Sequence, residues 1–256
     1  MPGGPFDLTG KVAIVTGGNG GIGKGIAVGM ARAGANVVVA ARNQDKNAAT
    51  VSELKNLGVE AISISCDVTE SDDVNATVAG CIERFGGLDI VVNNSGVNVR
   101  KLPHELTLQE WQTVIDVNLT GVFLMSKAAH PEMVKRGGGK VINIGSMMSI
   151  FAHETLAPYA SSKGGVVQFT KACASAWAKD NIQVNSILPG WIDTDMTNAL
   201  KVNMPERYET IRARTPTQRW GKPEELAGTA VFLATAASDF VTGTAIPVDG
   251  GYSIQS

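Results

Sequence analysis

Lys11-Val-Ala-Ile-Val-Thr-Gly-Gly-Asn-Gly-Gly-Ile-Gly23 is the stretch on which the fold turns. Lys11–Thr16 is an apolar run without polar alternation and too short for a helix, the pattern of a strand buried on both faces. A glycine-rich turn follows at once, then a helical pattern over about 21–33. Glycines let the backbone turn tightly and let a phosphate approach the helix N-terminus, whose free amides favour anions. Three ligand-bearing readings fit the turn. Gly18, Gly20 and Gly23 spell G-x-G-x-x-G, a dinucleotide signal that is weak alone. Gly18, Gly23 and Lys24 nearly spell a nucleoside-triphosphate loop, but Gly25 stands where that loop needs Ser or Thr for magnesium. Thr16, Gly17, Gly21 and Gly23 spell T-G-x-x-x-G-x-G. A plain glycine turn without ligand is the bland alternative.

Outward from this unit the rhythm repeats. Strands are expected at Asn36–Ala41, Val59–Ser65, Leu88–Val92, Lys140–Ile144, Ile182–Ile187 and Ala245–Val248. Helices are expected over 44–57, 71–84, 107–135, 159–179 and 223–234. Non-alternating strands separated by helices predict an α/β fold, a doubly wound parallel sheet of Rossmann type covered on both faces. The expectation is one domain over 1–256, with ligand at the strand C-termini. Residues 191–222 break the rhythm; they read as one or two short helices forming a substrate lid over that edge, against the alternative of an ordinary surface excursion.

Composition narrows the function. Charged residues are 18% and the formal net charge is −2, so nothing marks a surface for nucleic acid or anionic membrane. The N-terminus lacks the basic start and apolar run of a signal peptide, and no apolar stretch approaches the roughly 20 residues of a membrane span. Cys66, Cys81 and Cys173 are widely spaced, which argues against disulfide or zinc frameworks and for a reducing cytoplasm. His104, His130 and His153 are scattered, so no metal is expected.

Further motifs recur in order: Asp67-Val68, Asn93-Asn94-Ser95-Gly96, Asn118, Ser146, Tyr159-x-x-x-Lys163, Pro189-Gly190 and Val248-Asp249-Gly250-Gly251. Together with the third reading of the glycine turn they resemble the short-chain dehydrogenase/reductase family over nearly the whole chain. Ser95 departs from that family's N-N-A-G. The resemblance implies hydride transfer between a secondary alcohol and NAD(P), with Asn118, Ser146, Tyr159 and Lys163 as a catalytic tetrad. It implies cofactor contacts from Gly17, Asn19, Gly20, Gly21, Ile22, Gly23, Arg42, Asp67, Val68, Asn94, Tyr159, Lys163, Pro189, Ile192 and Thr194. It also implies a homotetramer, with helices 107–135 and 159–179 pairing between subunits.

The chemistry of the tetrad is coherent. A phenol with pKa of about 10 is mostly protonated at neutral pH, and each unit of depression corresponds to about 1.4 kcal/mol. Lys163 lies on the same helical face as Tyr159 and can favour the phenolate, so Tyr159 is expected as general acid/base poised towards neutral pH. Ser146 is expected to hydrogen-bond the substrate oxygen. Asn118 is expected, by resemblance, to hold a water serving Lys163.

Strand two ends Ala40-Ala41-Arg42-Asn43, without the carboxylate that grips a free ribose diol. Arg42 can pair with a 2′-phosphate, so NADP(H) is expected to be preferred, with NAD(H) possible. Gly20, where NADP enzymes often carry Arg or Ser, argues the other way. Within the family the chain is similar to gluconate 5-dehydrogenases and keto-sugar-acid dehydrogenases, on Ala157–Gly164, Arg214–Gly221 and the basic pair Arg100-Lys101. Arg100, Met148, His153, Ser146 and Tyr159 are the expected substrate contacts. A 3-oxoacyl-carrier-protein reductase and a glucose 1-dehydrogenase share the motifs; a dinucleotide-sensing module without catalysis would be expected to lack Tyr159 or Lys163.

Overall fold

A computed structural model describes residues 3–255. Its seven strands form one parallel sheet: β1 (Val12–Thr16), β2 (Asn36–Ala40), β3 (Ala61–Ile64), β4 (Ile90–Asn93), β5 (Gly139–Ile144), β6 (Ile182–Pro189) and β7 (Ala245–Val248), in the order β3-β2-β1-β4-β5-β6-β7. The chain builds β1 to β3 in one direction, then crosses back to place β4 beside β1, pairing Ala13 with Ile90 and Val15 with Val92. Loops leaving β1 and β4 therefore diverge, and the crevice between them is where a doubly wound sheet receives a nucleotide.

Alternation assigns the two faces of β1. Ala13 and Val15 pack with Ile26, Met30, Leu226 and Leu233 on one side, while Val12 and Ile14 pack with Met125, Met133, Cys173 and Ile182 on the other. Both faces are sealed, which is why the strand carries no polar alternation. Trimming the fully buried Ile14 to Ala should cost about 2–5 kcal/mol.

Helices flank the sheet: α1 (Gly21–Arg32), α2 (Gln44–Lys55), α3 (Ser71–Phe85), α4 (Leu108–Ile115), α5 (Gly121–Arg136), α6 (Ala157–Trp177), α7 (Asp195–Asn203), α8 (Pro205–Arg214) and α9 (Ala227–Ala234). Gly29 lets α1 lie close to α9, since a Cβ there would collide with that of Ala227.

The helix expected over 107–135 is not continuous. Thr107 and Glu110 form a capping box that starts α4, but Asp116–Thr120 widens into a π-helical turn before α5 begins. Gly121 sits against Val68, where a Cβ would come within 2.8 Å of Val68 Cγ2, so the helix is pressed onto its neighbour as it leaves that turn. Such widened turns recur at functional sites. The helix expected from 159 begins at Ala157, because Pro158 is tolerated in a first turn.

After β6 the chain makes the excursion expected from residue 191. It bears α7 and α8, and its neck is closed by a bridge between Ile192 and Gly221. Trp220 is its internal core, packed by Trp191 and Tyr208 at centroid distances of 5.2 and 4.8 Å. None of the described helices is long and apolar enough to cross a membrane.

Candidate active site

Thr16, the last residue of β1, ties the two divergent loops together. Its Oγ1 accepts from the amides of Asn94 (2.9 Å) and Ser95 (3.1 Å), and Asn94 Nδ2 returns bonds to the carbonyls of Thr16 (3.0 Å) and Gly17 (3.3 Å). The glycines are then dictated by space. A Cβ on Gly23 would collide with the Gly17 carbonyl and the Asn94 amide, and Gly17 itself has φ +61°. The first turn of α1 has neither a side-chain cap on its N-terminal amides nor an acidic residue. An anion such as a phosphate group fits there, and the glycines leave room for it to approach. Thr194 closes over Gly21, whose Cβ would stand 3.2 Å from Thr194 Cγ2.

Several expected cofactor residues carry other duties. Asn19 donates to Asn47 Oδ1 (2.7 Å), and Asn47 donates to the Ala41 carbonyl (2.7 Å), so Asn19 fixes the glycine turn to the end of β2. The Ile192 side chain is turned into the core and its carbonyl accepts from Thr197, leaving its backbone N–H as the group it can offer. Ile22 is partly buried, packed against the same core, and Pro189 ends β6. Val68 is buried beside Gly121.

Arg42 projects from the end of β2 and meets Asp67 at 3.4 Å; the two side chains are 70% and 31% exposed. Burial raises the Asp67 carboxyl, but hydrogen bonds from Thr69 and the Arg42 charge outweigh it and leave the group below its ordinary value. The expected phosphate-binding arginine thus stands beside the expected adenine contact.

The structure brings Ser146, Tyr159, Lys163 and Asn118 to one place. Ser146, at the end of β5, is held by an amide bond from Met148 to its Oγ (3.1 Å), which leaves the hydroxyl proton free to be donated. Lys163 is buried, its Nζ donating to the Ile144 carbonyl (2.7 Å) and lying 5.8 Å from the centre of the Tyr159 ring. Burial brings its ammonium down to about 8. Asn118, fully buried on the π turn, accepts from Val97 N (2.8 Å) and donates to Val97 O (3.0 Å) and Ser162 Oγ (3.1 Å). The expectation of a phenol poised towards neutral pH is not met by the protein's own groups. Burial holds Tyr159 above its ordinary value, with the Ser146 hydroxyl and the Arg100 charge working against it.

Two residues escaped the sequence reading. Ser149 Oγ accepts from Ser146 N (3.2 Å) and donates to Lys163 O (2.8 Å), so one hydroxyl sets the Ser146 turn against the Tyr159–Lys163 helix. Its signal was present in the spacing Ser146-x-x-Ser149, which resembles a capping box. Arg207, on α8, lies with Nη2 3.0 Å from His153 Nε2; nothing in its surrounding sequence marks it.

The expected basic pair separates. Lys101 is taken by Glu110 at 2.5 Å, whereas Arg100 has no carboxylate within ion-pair distance among the described residues. The Lys101 amide donates to the Thr155 carbonyl (3.2 Å), which sets the Arg100 turn beside the His153 loop. Burial and then the Arg207 charge hold both Arg100 and His153 below their usual basicity. Met148 lies with Phe151, Trp191 and Tyr252 in an apolar cluster flanking Ser146.

A family model described as enoyl-(acyl carrier protein) reductase matches residues 17–253. The 5-keto-D-gluconate 5-reductase of Escherichia coli K12 is 42% identical over 246 residues, covering 96% of each chain. The 2-dehydro-3-deoxy-D-gluconate 5-dehydrogenase of Formosa agariphila is 40% identical, covering 96% of this chain and 94% of that one. A crystal structure of a gluconate 5-dehydrogenase from Burkholderia cenocepacia, in complex with NADP and tartrate, superposes with a TM-score of 0.94 at 40% identity over 98% of each chain. The chain belongs to the short-chain dehydrogenase/reductase family and is an NAD(P)-dependent dehydrogenase/reductase.

Proposed function

We propose that this enzyme is an NADP(H)-dependent oxidoreductase that interconverts a secondary alcohol and a ketone on a sugar acid such as gluconate. The observation that carries the substrate class is Arg100. It is a guanidinium with no carboxylate partner among the described residues, close enough to Tyr159 for its charge to favour the phenolate. Such a group beside the reacting centre suits a substrate that brings its own carboxylate. The names of the relatives, and tartrate in the Burkholderia complex, support the same class.

Bound NADPH supplies the hydride for ketone reduction, and NADP accepts it in alcohol oxidation. Tyr159 gives its phenolic proton to the carbonyl oxygen in one direction and takes the alcohol proton in the other. Ser146, its oxygen fixed by the Met148 amide, donates to the same substrate oxygen and steadies developing negative charge. Lys163 has donors to spare after Ile144 and holds the nicotinamide ribose. The side chain of Asn118 is spent on Val97 and Ser162, so a water serving Lys163 is held by the backbone of the π turn. Arg42 takes the 2′-phosphate. Its exposed pair with Asp67 is worth about 0–1 kcal/mol and is readily exchanged for a phosphate near two charges.

We read residues 191–222 as the substrate lid of a single cofactor-binding domain. A homotetramer is supported by a groove on α5 and α6 lined by Phe123, Lys127, His130, Phe169, Cys173 and Trp177, and by exposed Phe240 and Ile254. Three buried, unpaired cysteines suit a reducing cytoplasm.

The test is NADPH oxidation with 5-keto-D-gluconate, a 3-oxoacyl thioester and a plain cyclic ketone, and NADP reduction with glucose. The highest kcat/KM is expected with the keto acid. A faster thioester or glucose reaction would overturn the substrate class, and cofactor binding without turnover of any of them would overturn catalysis.

A further inference from the structure

The arginines of residues 191–222 differ in what they face. Arg212 pairs with Glu209, and Arg219 pairs with Glu225. Arg214 lies over the Tyr252 ring at 4.4 Å and donates to its hydroxyl. Arg207 alone among them faces neither a carboxylate nor an aromatic ring among the described residues. Its partner is the imidazole of His153 at 3.0 Å. A guanidinium can only donate, so Nε2 faces a donor, and Nδ1 faces the Thr155 amide (3.2 Å) and hydroxyl (3.1 Å); an imidazolium would set a proton of its own against each. The imidazole is then neutral, and burial and the Arg207 charge both lower its basicity.

Arg100 stands on the turn that the Lys101 amide ties to Thr155, close enough to His153 and Arg207 for the charges to act on one another, so two like charges lie near a neutral ring. Like charges are brought together at a cost unless an anion comes between them. Arg207 uses one of its donors on His153 and keeps a free edge of its fork. It rides on α8, in the segment closed at the Ile192–Gly221 neck, whereas Arg100 and His153 belong to loops beside Ser146 and Tyr159. An anion held by both arginines would join the lid to the catalytic floor.

We propose that Arg207 is the lid's half of a carboxylate clamp, with Arg100 as the fixed half and His153 as the resting partner of Arg207. The clamp rests on the sugar-acid reading and adds to it the residue that discriminates a carboxylate from an uncharged chain end. Arg207 binds substrate and takes no part in proton transfer.

The experiment compares NADP reduction with D-gluconate and with D-glucitol, the same carbon chain ending in CH2OH where gluconate has its carboxylate. Both are measured on the wild type, Arg207→Met and Arg207→Lys. The quantity read is kcat/KM for gluconate divided by kcat/KM for glucitol. Arg207→Met should lower this ratio roughly tenfold or more, mainly through KM for gluconate, as for a lost charge-assisted hydrogen bond. Arg207→Lys, which keeps the charge without the fork, should fall between. A wild type that prefers gluconate and a Met variant that keeps the preference would overturn the clamp and leave the sugar-acid reading intact. A wild type without preference would overturn both. If Arg207→Met no longer binds NADPH, Arg207→Lys decides, and a ratio at the wild-type value overturns the clamp.

Discussion

The two ends of the cleft are built with the same kind of side chain in opposite company. At the adenosine end Arg42 stands 3.4 Å from Asp67, so its charge is matched before any ligand arrives. At the substrate end Arg207 stands 3.0 Å from His153 and Arg100 lies on the adjoining turn within reach of its charge, with no carboxylate within ion-pair distance of either among the described residues. A matched arginine discriminates by degree: a 2′-phosphate must displace an exposed carboxylate, and a cofactor without that phosphate leaves the pair as it was. An unmatched pair discriminates more sharply, because an uncharged ligand leaves two like charges uncompensated. The proposed consequence is a modest preference for NADP over NAD and a stronger one for acids over neutral polyols.

Substitutions can break or sharpen this contrast. The largest effect should come between the two ends. Tyr159→Phe removes only the proton donor, so kcat should fall by about 100-fold or more while NADPH binding, read by fluorescence, persists. Lys163→Met should affect both parameters, lowering kcat and raising KM for the cofactor, because Lys163 lies beside the Tyr159 ring and is assigned the ribose. A change confined to kcat would remove its cofactor role. Arg42→Ala acts at one end only. It should raise KM for NADP(H) about tenfold, the equivalent of one charge-assisted hydrogen bond, and alter KM for NAD(H) little. Equal changes for the two cofactors would place Arg42 on the shared adenosine instead. Asp67→Asn should give the smallest shift, a gain of at most a few-fold in NADP(H) affinity, since it unpairs Arg42 while its amide oxygen can still accept from Thr69. Weaker NADP(H) binding in this variant would show that Asp67 helps the nucleotide more than it restrains Arg42.

The pH dependence has a defined sign. Burial holds the Tyr159 phenol above its ordinary value. Alcohol oxidation needs the phenolate, so its kcat should climb with pH across about 7–9, whereas ketone reduction needs the phenol and should not climb. Oxidation that declines over this range would contradict Tyr159 as the base.

What the sequence made legible follows the same division. The β1–glycine–α1 unit was readable because sterics leave almost no choice there: Gly23 has no room for a Cβ, and β1 has no solvent face. Asn94, Ser146, Tyr159 and Lys163 were readable because their motifs, taken in order along the chain, resemble those of a known family. The π turn at Asp116–Thr120 was not, since its residues fit an ordinary helix, and the close approach of Gly121 to Val68 beside it is a contact between residues far apart in sequence. Arg207 was illegible for a related reason. Its neighbour His153 is distant in sequence, and α8 carries several arginines that look alike until their partners are known. The basic pair Arg100-Lys101 misled in the opposite direction, because Glu110 takes Lys101 out of play.

Wild-type kcat/KM measured with the four combinations of NADP or NAD and gluconate or glucitol tests most directly whether one cleft reads an anion at each end. The account predicts that NADP with gluconate is the fastest combination, and that replacing either negatively charged partner lowers the rate by a factor largely independent of the other. NAD used as well as NADP, or glucitol used as well as gluconate, would contradict it.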